Sequence, residues 1–342
     1  MKQANNKYEI RDLDPSRFFL WDKFVQDAPG GTLFHTTHWA KMVQHVFGRD
    51  FRILALFRQE ELQAGFLFWP GSALGFPVIS RAPLTPYQGL LFKASQKGKS
   101  SGSIAQRQEW SDMLIARLSN EYHYIDLLSV PEHRDIRPFL WRDFSAQPRF
   151  TYTFRLAPFN ELQKQFSQSL RRKIKNRSAA LQVEEARDSD RLLRFVLDSY
   201  NHHGLEPPVP EDDLQKLFSA LGKEDWAHIS YLKKEGAALA GLLLLEDENG
   251  LYALFAGVLA EARKEFYTEY LYTECMKDSR FSGKKFDFLG ANTKDFEQFK
   301  RSFGGGLQVY YELNYTRGKI LNLLSSLRKK QNLKKRRLRR NG

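Results

Sequence analysis

The chain repeats itself, and that constrains its fold more than any single residue. Residues 53–65 (ILALFRQEELQAG) align without a gap on residues 229–241 (ISYLKKEGAALAG), each an apolar strand, a charged turn and a second strand opening on Ala-Gly, at an offset of 176. Upstream, residues 14–25 (DPSRFFLWDKFV) match 188–199 (DSDRLLRFVLDS), and 39–48 match 213–222, both at an offset of 174. Downstream, Tyr124-Ile125-Asp126-Leu127-Leu128 answers Phe286-Asp287-Phe288-Leu289-Gly290. A period this long marks a duplicated domain rather than a solenoid unit. It implies a cleft between similar halves, a favoured place for a ligand.

At 342 residues the chain suits two domains, each able to bury its own core. No apolar run approaches the roughly 18 residues of a membrane span, and MKQANNKYEI at the start lacks the apolar core of an export signal. Cys275 is the one cysteine, so no internal disulfide forms. With no Cys or His cluster beside it no metal site is read, and a reducing cytoplasm is the simplest compartment.

The formal charge of +13 has an address. Residues 319–342 hold ten Lys and Arg and no acid; residues 162–177 hold six more, again with none. Setting these ten and six cations aside brings the remainder to −3, a mildly acidic body carrying two basic patches.

Helical spacing behind Asp14-Pro15 predicts a first helix over 13–27, and Thr36 or Thr37 caps a second over 38–47 that Gly48 closes. Strands are expected at 52–57 and 63–69, an irregular loop over 70–89 that enters a strand at Leu90-Leu91-Phe92, a loop over 93–103, a helix over 106–121 and a strand over 124–129. Residues 149–156 (RFTYTFRL) alternate and read as the strand carrying the chain into its second half, followed by a basic helix over 162–181. The plan then recurs: helices at 191–201 and 212–221, strands at 227–233, 239–247 and 250–257 with Asn249-Gly250 as a hairpin turn. A helix at 262–278, a strand at 285–289, a helix at 293–303 and a strand at 308–315 close it.

Written twice, this order of helix, strands, helix and strand resembles the GNAT acyltransferase fold. The tandem is similar to the Fem family of peptidoglycan bridge-forming aminoacyltransferases and their BioF/CelD-like relatives. The residues carrying the likeness are Gly31-Thr32-Leu33-Phe34-His35 with Trp39; the run 82–89 (APLTPYQG); the run 169–175 (SLRRKIK); and 286–292 (FDFLGAN) continuing to 299–305 (FKRSFGG). The resemblance implies an α/β (α+β) protein of two tandem GNAT-like subdomains, each a mixed, mostly antiparallel sheet flanked by helices. It assigns 1–150 to the acceptor side and 151–316 to the acyl-transfer side; beyond it, the residues of 317–342 read as a basic amphipathic or disordered tail.

By the same resemblance Lys300, the lysine of the Phe-Lys pair, acts at the reacting centre, with Phe299 beside it in contact with substrate. An ammonium fixed where negative charge gathers on a carbonyl oxygen favours the transition state over the ground state; the alternative is a solvated lysine paired with Glu297 or Asp295. Asp287 and Asp126 hold matching places in apolar strands, where a carboxylate must be hydrogen-bonded. Either one accepts a proton from an attacking amine or only caps a loop. Tyr87 and Tyr252 match family positions that contact substrate, or are packed aromatics in a chain that is 14% aromatic. Arg171, Arg172, Lys173, Lys175 and Arg177 form a cationic helix suited to phosphates, of a nucleotide sugar, a lipid pyrophosphate or tRNA.

The donor stays open between aminoacyl-tRNA and acyl-CoA. A CoA-binding GNAT grips pyrophosphate on a glycine-rich turn after its central strand, and residues 258–266 (VLAEARKEF) contain no glycine. Against tRNA, no heptad-patterned helical hairpin interrupts the second half. The leading expectation is an acyltransferase that moves an aminoacyl or acyl group onto an amine of a phosphate-bearing cell-envelope precursor at the cytoplasmic membrane face. The apolar stripe Ile320, Leu321, Leu324 and Leu327 ahead of the basic residues up to 340 suits peripheral contact with anionic lipid. The competing expectations are a non-catalytic tandem module binding RNA or anionic lipid, and an acyl-CoA-dependent N-acyltransferase of polysaccharide or lipid synthesis.

Overall fold

The duplicated hairpins become the centres of two units. The computed structural model describes residues 8–94, 100–175 and 181–318. Residues up to Pro148 together with those from Tyr310 onward form the first unit, and Arg149–Val309 the second. The basic tail from residue 319, Arg177 and residues 95–99 of the loop expected over 93–103 lie outside the described residues.

In chain order the first unit contains β1 (Glu9–Asp12), α1 (Phe18–Asp27), α2 (Thr37–Phe47), β2 (Arg52–Arg58), β3 (Glu61–Ala73), β4 (Phe76–Ser80) and β5 (Leu91–Phe92). α3 (Ser100–Glu121), β6 (Tyr124–Leu128) and α4 (Arg137–Leu140) follow, and β7 (Ser145–Arg155) carries the chain onward. The second unit continues with α5 (Phe159–Leu162), α6 (Gln168–Lys175), β8 (Leu181–Ala186), α7 (Asp190–His202), α8 (Glu211–Leu221), β9 (Ala227–Lys234) and β10 (Ala237–Glu246). It closes with β11 (Gly250–Val258), α9 (Tyr267–Cys275), β12 (Lys285–Asp287) and α10 (Lys294–Arg301), and the last strand is β13 (Gly306–Thr316).

The two strand orders correspond. The first unit runs β1-β2-β3-β4-β6-β13, with β5 also on β3; the second runs β8-β9-β10-β11-β12-β7. In each, the fourth and fifth strands are parallel, β4 with β6 and β11 with β12, and their neighbours antiparallel. The closing strand of each repeat pairs in the other unit. β7, which ends the first repeat, sets Phe154 opposite Phe286 on β12, and β13, which ends the second, sets Asn314 opposite Asp126 on β6.

Register confirms the duplication residue by residue. Ala55 faces Gly65 and Tyr231 faces Gly241, pairs related by the sequence offset of 176. Each hairpin bulges two pairs beyond its turn, at the same place, with Gln63 extra in one and Leu239 in the other. The glycines share a cause. A Cβ on Gly65 would lie 2.5 Å from the Trp21 ring, and one on Gly241 would meet Leu192 and Phe195 at 3.1 Å. Trp21 and Phe195 are themselves repeat partners, so each glycine seats the aromatic side chain of the first helix. Gly65→Ala is expected to destabilise the protein by about 1–3 kcal/mol through overpacking, read as a lower denaturant midpoint with an unchanged slope.

The helix signals hold where capping chemistry wrote them. Asp14 accepts from the Ser16 N–H ahead of α1, the Thr36 hydroxyl caps α2, and Gly48 ends it at φ +63°. Three strands were not foreseen. β1 (EIRD) and β8 (LQVEEA) are the outermost strands of their units, and edge strands carry charge in place of apolar alternation. β4 lies within the region expected to be a loop, because Pro77 and the Leu74-Gly75 turn disguise it. The basic helix expected over 162–181 is instead broken. Phe166 is extended at φ −66°, ψ 147°, and packs its ring on Phe159 and Phe303. The helix expected over 262–278 also divides, into a 3-10 segment Ala260–Glu265 and α9, with Phe266 left-handed at φ +59° between them.

Candidate active site in the second unit

β11 and β12 run parallel only briefly. Their ladder pairs Gly250 with Lys285, Leu251 with Phe286 and Tyr252 with Asp287, and ends there, while β11 continues to Val258 with its other edge on β10. A wedge therefore opens where the strands part. It holds a cavity of about 520 Å³ walled by β11 from Ala253 onward, the end of α7, the start of α9, the turn after β12 and one face of α10.

The turn after β12 is held in an unusual shape. Leu289 sits at φ +53° and Gly290 at φ +92°; the first strains an L-residue, and the second suits glycine alone. Asp287, with no exposed surface, secures the turn. Its carboxylate accepts from the Thr151 hydroxyl at 2.8 Å and the Leu289 N–H at 2.9 Å, and Gly290 N–H reaches the Thr151 oxygen at 3.2 Å. A buried carboxylate is tolerated here because it is bonded to these donors.

The result is a cradle of two carbonyls for Lys300. From α10 its Nζ donates to Phe288 O at 2.7 Å and to Gly290 O, so the lysine is not the partner of Glu297, which instead binds Arg301 and the Tyr152 hydroxyl. Burial pushes the Lys300 ammonium down to about 8, with the negative charge of Asp287 opposing the shift. An ammonium has three N–H groups. Two are committed to the carbonyls, and Lys300 lines the cavity, which leaves the third for an entering group.

Aromatic rings shape the walls. Phe299 lines the cavity with its ring against Tyr272 and Phe303, and Phe296, Phe288 and Tyr200 stand beside it. Glu269 brings a carboxylate to the wall from the first turn of α9, where the helix dipole favours it. Lys173 of α6 holds that carboxylate at 3.2 Å, and its ammonium stands 3.5 Å from the centre of the Phe266 ring. Neither Glu269 nor His203, also in the wall, was foreseen. Glu269 lies in a segment whose local pattern says only helix and His203 just past the end of α7, and their meeting depends on tertiary packing.

The remaining sequence candidates are dispersed. Asp287 stands next to the cavity-lining Phe288 and positions the turn. Tyr252 is buried, with its hydroxyl donating to Asp247 within its own hairpin at 2.8 Å. Arg171, Arg172 and Lys175 are exposed on α6, beside Lys173. Tyr87 and Asp126 belong to the first unit: the Tyr87 ring packs on Phe34 and Tyr310, while Asp126 binds Arg81 at 3.0 Å and Asn314 at 3.1 Å. Among the described residues no cluster of His, Cys, Asp or Glu is arranged for a metal ion, and no helix is long and apolar enough to cross a membrane.

This architecture defines a class, the tandem GNAT-type acyltransferase fold. Residues 164–301 match the family model described as an acetyltransferase (GNAT) domain. Among solved structures, FemX superposes with a TM-score of 0.69 at 15% identity, over 92% of this chain and 99% of that one. The C-terminal domain of a putative lysylphosphatidylglycerol synthetase from Agrobacterium fabrum gives 0.55 at 11% identity, over 91% and 95%. A tandem GNAT protein from the clavulanic acid biosynthesis pathway gives 0.53 at 8%, over 91% and 99%. At these identities the likeness is one of fold. A search of curated protein sequences finds no match.

Proposed function

We propose that the protein is an acyltransferase whose second unit moves an aminoacyl or acyl group onto an amine of a cell-envelope precursor. The observation that carries this reading is the Lys300 ammonium, anchored on Phe288 and Gly290 carbonyls in the wedge between β11 and β12. An amine attacks the carbonyl carbon of an ester or thioester, a C–N bond forms, and negative charge collects on the carbonyl oxygen. The third N–H of Lys300 stabilises that oxygen. The C–O or C–S bond then breaks, and the proton lost by the amine ends on the departing alkoxide or thiolate. Asp287 is a positioning residue, since it acts through the turn that carries the two carbonyls.

An aminoacyl ester is the favoured donor. The segment ahead of α9 lacks glycine, and Glu269 already places a carboxylate on the first turn of that helix, where a CoA pyrophosphate would meet repulsion. One observation favours the acyl-CoA reading: the ladder ends at Tyr252, so β11 beyond it offers an edge to an extended, amide-bearing chain. The cell-envelope acceptor rests on the Fem-like order of the chain, on the phosphate-seeking Arg171, Arg172 and Lys175, and on a neighbour named for lysylphosphatidylglycerol synthesis. The acceptor-binding role of Tyr87 and Asp126, a tRNA partner and membrane contact through residues 319–340 belong to the same proposal. Incubation with separately labelled aminoacyl-tRNAs and acyl-CoAs, with lipid-linked and nucleotide-linked precursors as acceptors, tests it; if no label moves to any acceptor amine, the reading fails.

The charge on Lys300 makes the reaction sensitive to pH. A stabilising ammonium is lost as pH rises through its folded value, so kcat/KM is expected to fall above pH about 8. Lys300→Arg keeps a cation at all accessible pH, and the surviving activity of that variant is expected to lack the alkaline limb. A limb retained unchanged in the arginine variant assigns the titration to another group.

A further inference from the structure

The first unit carries an exposed apolar patch that the proposed chemistry does not use. Leu74 and Gly75 form the two-residue turn between β3 and β4, with Ala73 paired to Phe76. Both turn residues have positive φ, +53° and +80°, a geometry that asparagine or glycine fills without strain. A leucine is there instead, 69% exposed, with Phe76 40% exposed next to it. A residue that breaks local turn chemistry and points its apolar side chain at solvent needs a reason outside the fold.

Polar groups link this tip to a second exposed apolar pair. The Phe76 ring packs on His123 at 4.9 Å, His123 O accepts from the Arg317 N–H at 2.8 Å, and the Arg317 guanidinium reaches Ser119 O. Ser119, Arg317, Arg142 and Trp141 line one open concavity. Trp141 is 63% exposed and Leu140 beside it also faces outward, whereas Phe139 of the same short helix is buried. Arg137 stands over the Trp141 ring, and Asp135 and Asp112 neutralise Arg137 and Arg142. Arg317 is one residue from the end of the described chain, and from there the sequence continues for 24 residues holding ten Lys and Arg and no acid.

We propose that this surface, from the Leu74 hairpin tip to Trp141, docks on an anionic lipid bilayer. Leu74, Phe76, Leu140 and Trp141 enter the interfacial layer, as aromatic and aliphatic anchors do. The cationic chain leaving at Arg317 supplies the electrostatic half, for a single weak anchor holds a membrane only marginally and a second signal makes attachment stable. So concentrated a positive charge in the continuing sequence matches an anionic lipid surface. The inference extends the membrane contact proposed for residues 319–340 to a second, apolar surface of the first unit, and holds whether or not the second unit is catalytic.

The test is co-sedimentation of the full chain with vesicles of phosphatidylcholine alone and of phosphatidylcholine containing phosphatidylglycerol. Binding to the anionic vesicles only is expected, and the double variant Leu74→Asn/Trp141→Ser is expected to weaken it by about tenfold or more. Asparagine suits the left-handed turn and both side chains are exposed, so an unchanged melting temperature verifies the fold of the variant. A blue shift of emission on anionic vesicles, absent from Trp141→Phe, reports insertion of that ring. The proposal is overturned if the double variant binds as tightly as the parent, which leaves the tail as the whole attachment. It is equally overturned if the parent ignores both vesicles, or binds RNA and not lipid.

Discussion

Lys300→Met is expected to lower the rate of the proposed acyl transfer by about 10²–10³-fold, the loss typical of removing one transition-state donor, while leaving the binding of acceptor and donor within a few fold. The reasoning is local. Methionine is close to lysine in length and bulk, but it offers no N–H to the carbonyl oxygen on which charge is proposed to gather. It also leaves the carbonyls of Phe288 and Gly290 without the donor they now share, and some stability is lost with it. Single-turnover kinetics on preformed complexes separates the two effects, since a loss of fold lowers the active fraction and a loss of catalysis lowers the rate. Full turnover by the methionine variant removes Lys300 from the chemistry.

Asp287 carries the second large effect, first on stability and then on charge. Asp287→Ala strips the acceptor from the buried Thr151 hydroxyl and the partly buried Leu289 N–H, and a cost of about 2–4 kcal/mol is expected from the two donors left unmet. Asp287→Asn is the sharper probe, because its amide oxygen still accepts from the same groups. The negative charge of Asp287 raises the Lys300 pKa, so removing that charge lets the lysine titrate lower, and the alkaline limb of kcat/KM is expected to move toward acid. A limb that stays in place in the asparagine variant shows that the limb does not belong to Lys300.

Much of the fold was legible in the residues. Two hairpins offset by 176 share strand register and bulge position, because a period-2 pattern with one buried face tolerates no slip. Capping residues ended the helices where their chemistry requires. The outermost strands β1 and β8 escaped notice because solvent sits at their free edge and permits charge. β4 escaped because proline and glycine, the usual punctuation of loops, also occur on strands beside tight turns.

The candidate site divides along the same line. Lys300 and Phe299 were visible through the Phe-Lys-Arg-Ser-Phe-Gly-Gly run, and both line the cavity. Their surroundings were not. Glu269 and Lys173 are 96 residues apart and meet only because α6 and α9 pack together, and the cradle of carbonyls needs a left-handed leucine that no side-chain pattern announces.

The amino-acid sequence alone therefore determined the doubling and the hairpin registers, since these are written in local periodicity and in the copying of one half from the other, while Lys300 was singled out only by the family resemblance of its Phe-Lys-Arg-Ser-Phe-Gly-Gly run. Tertiary structure decided the exchange of β7 and β13, the wedge where β11 leaves β12, and the burial that draws the lysine ammonium toward neutrality. Those depend on which backbone groups are left without partners once the sheets are complete, and that count exists only in three dimensions.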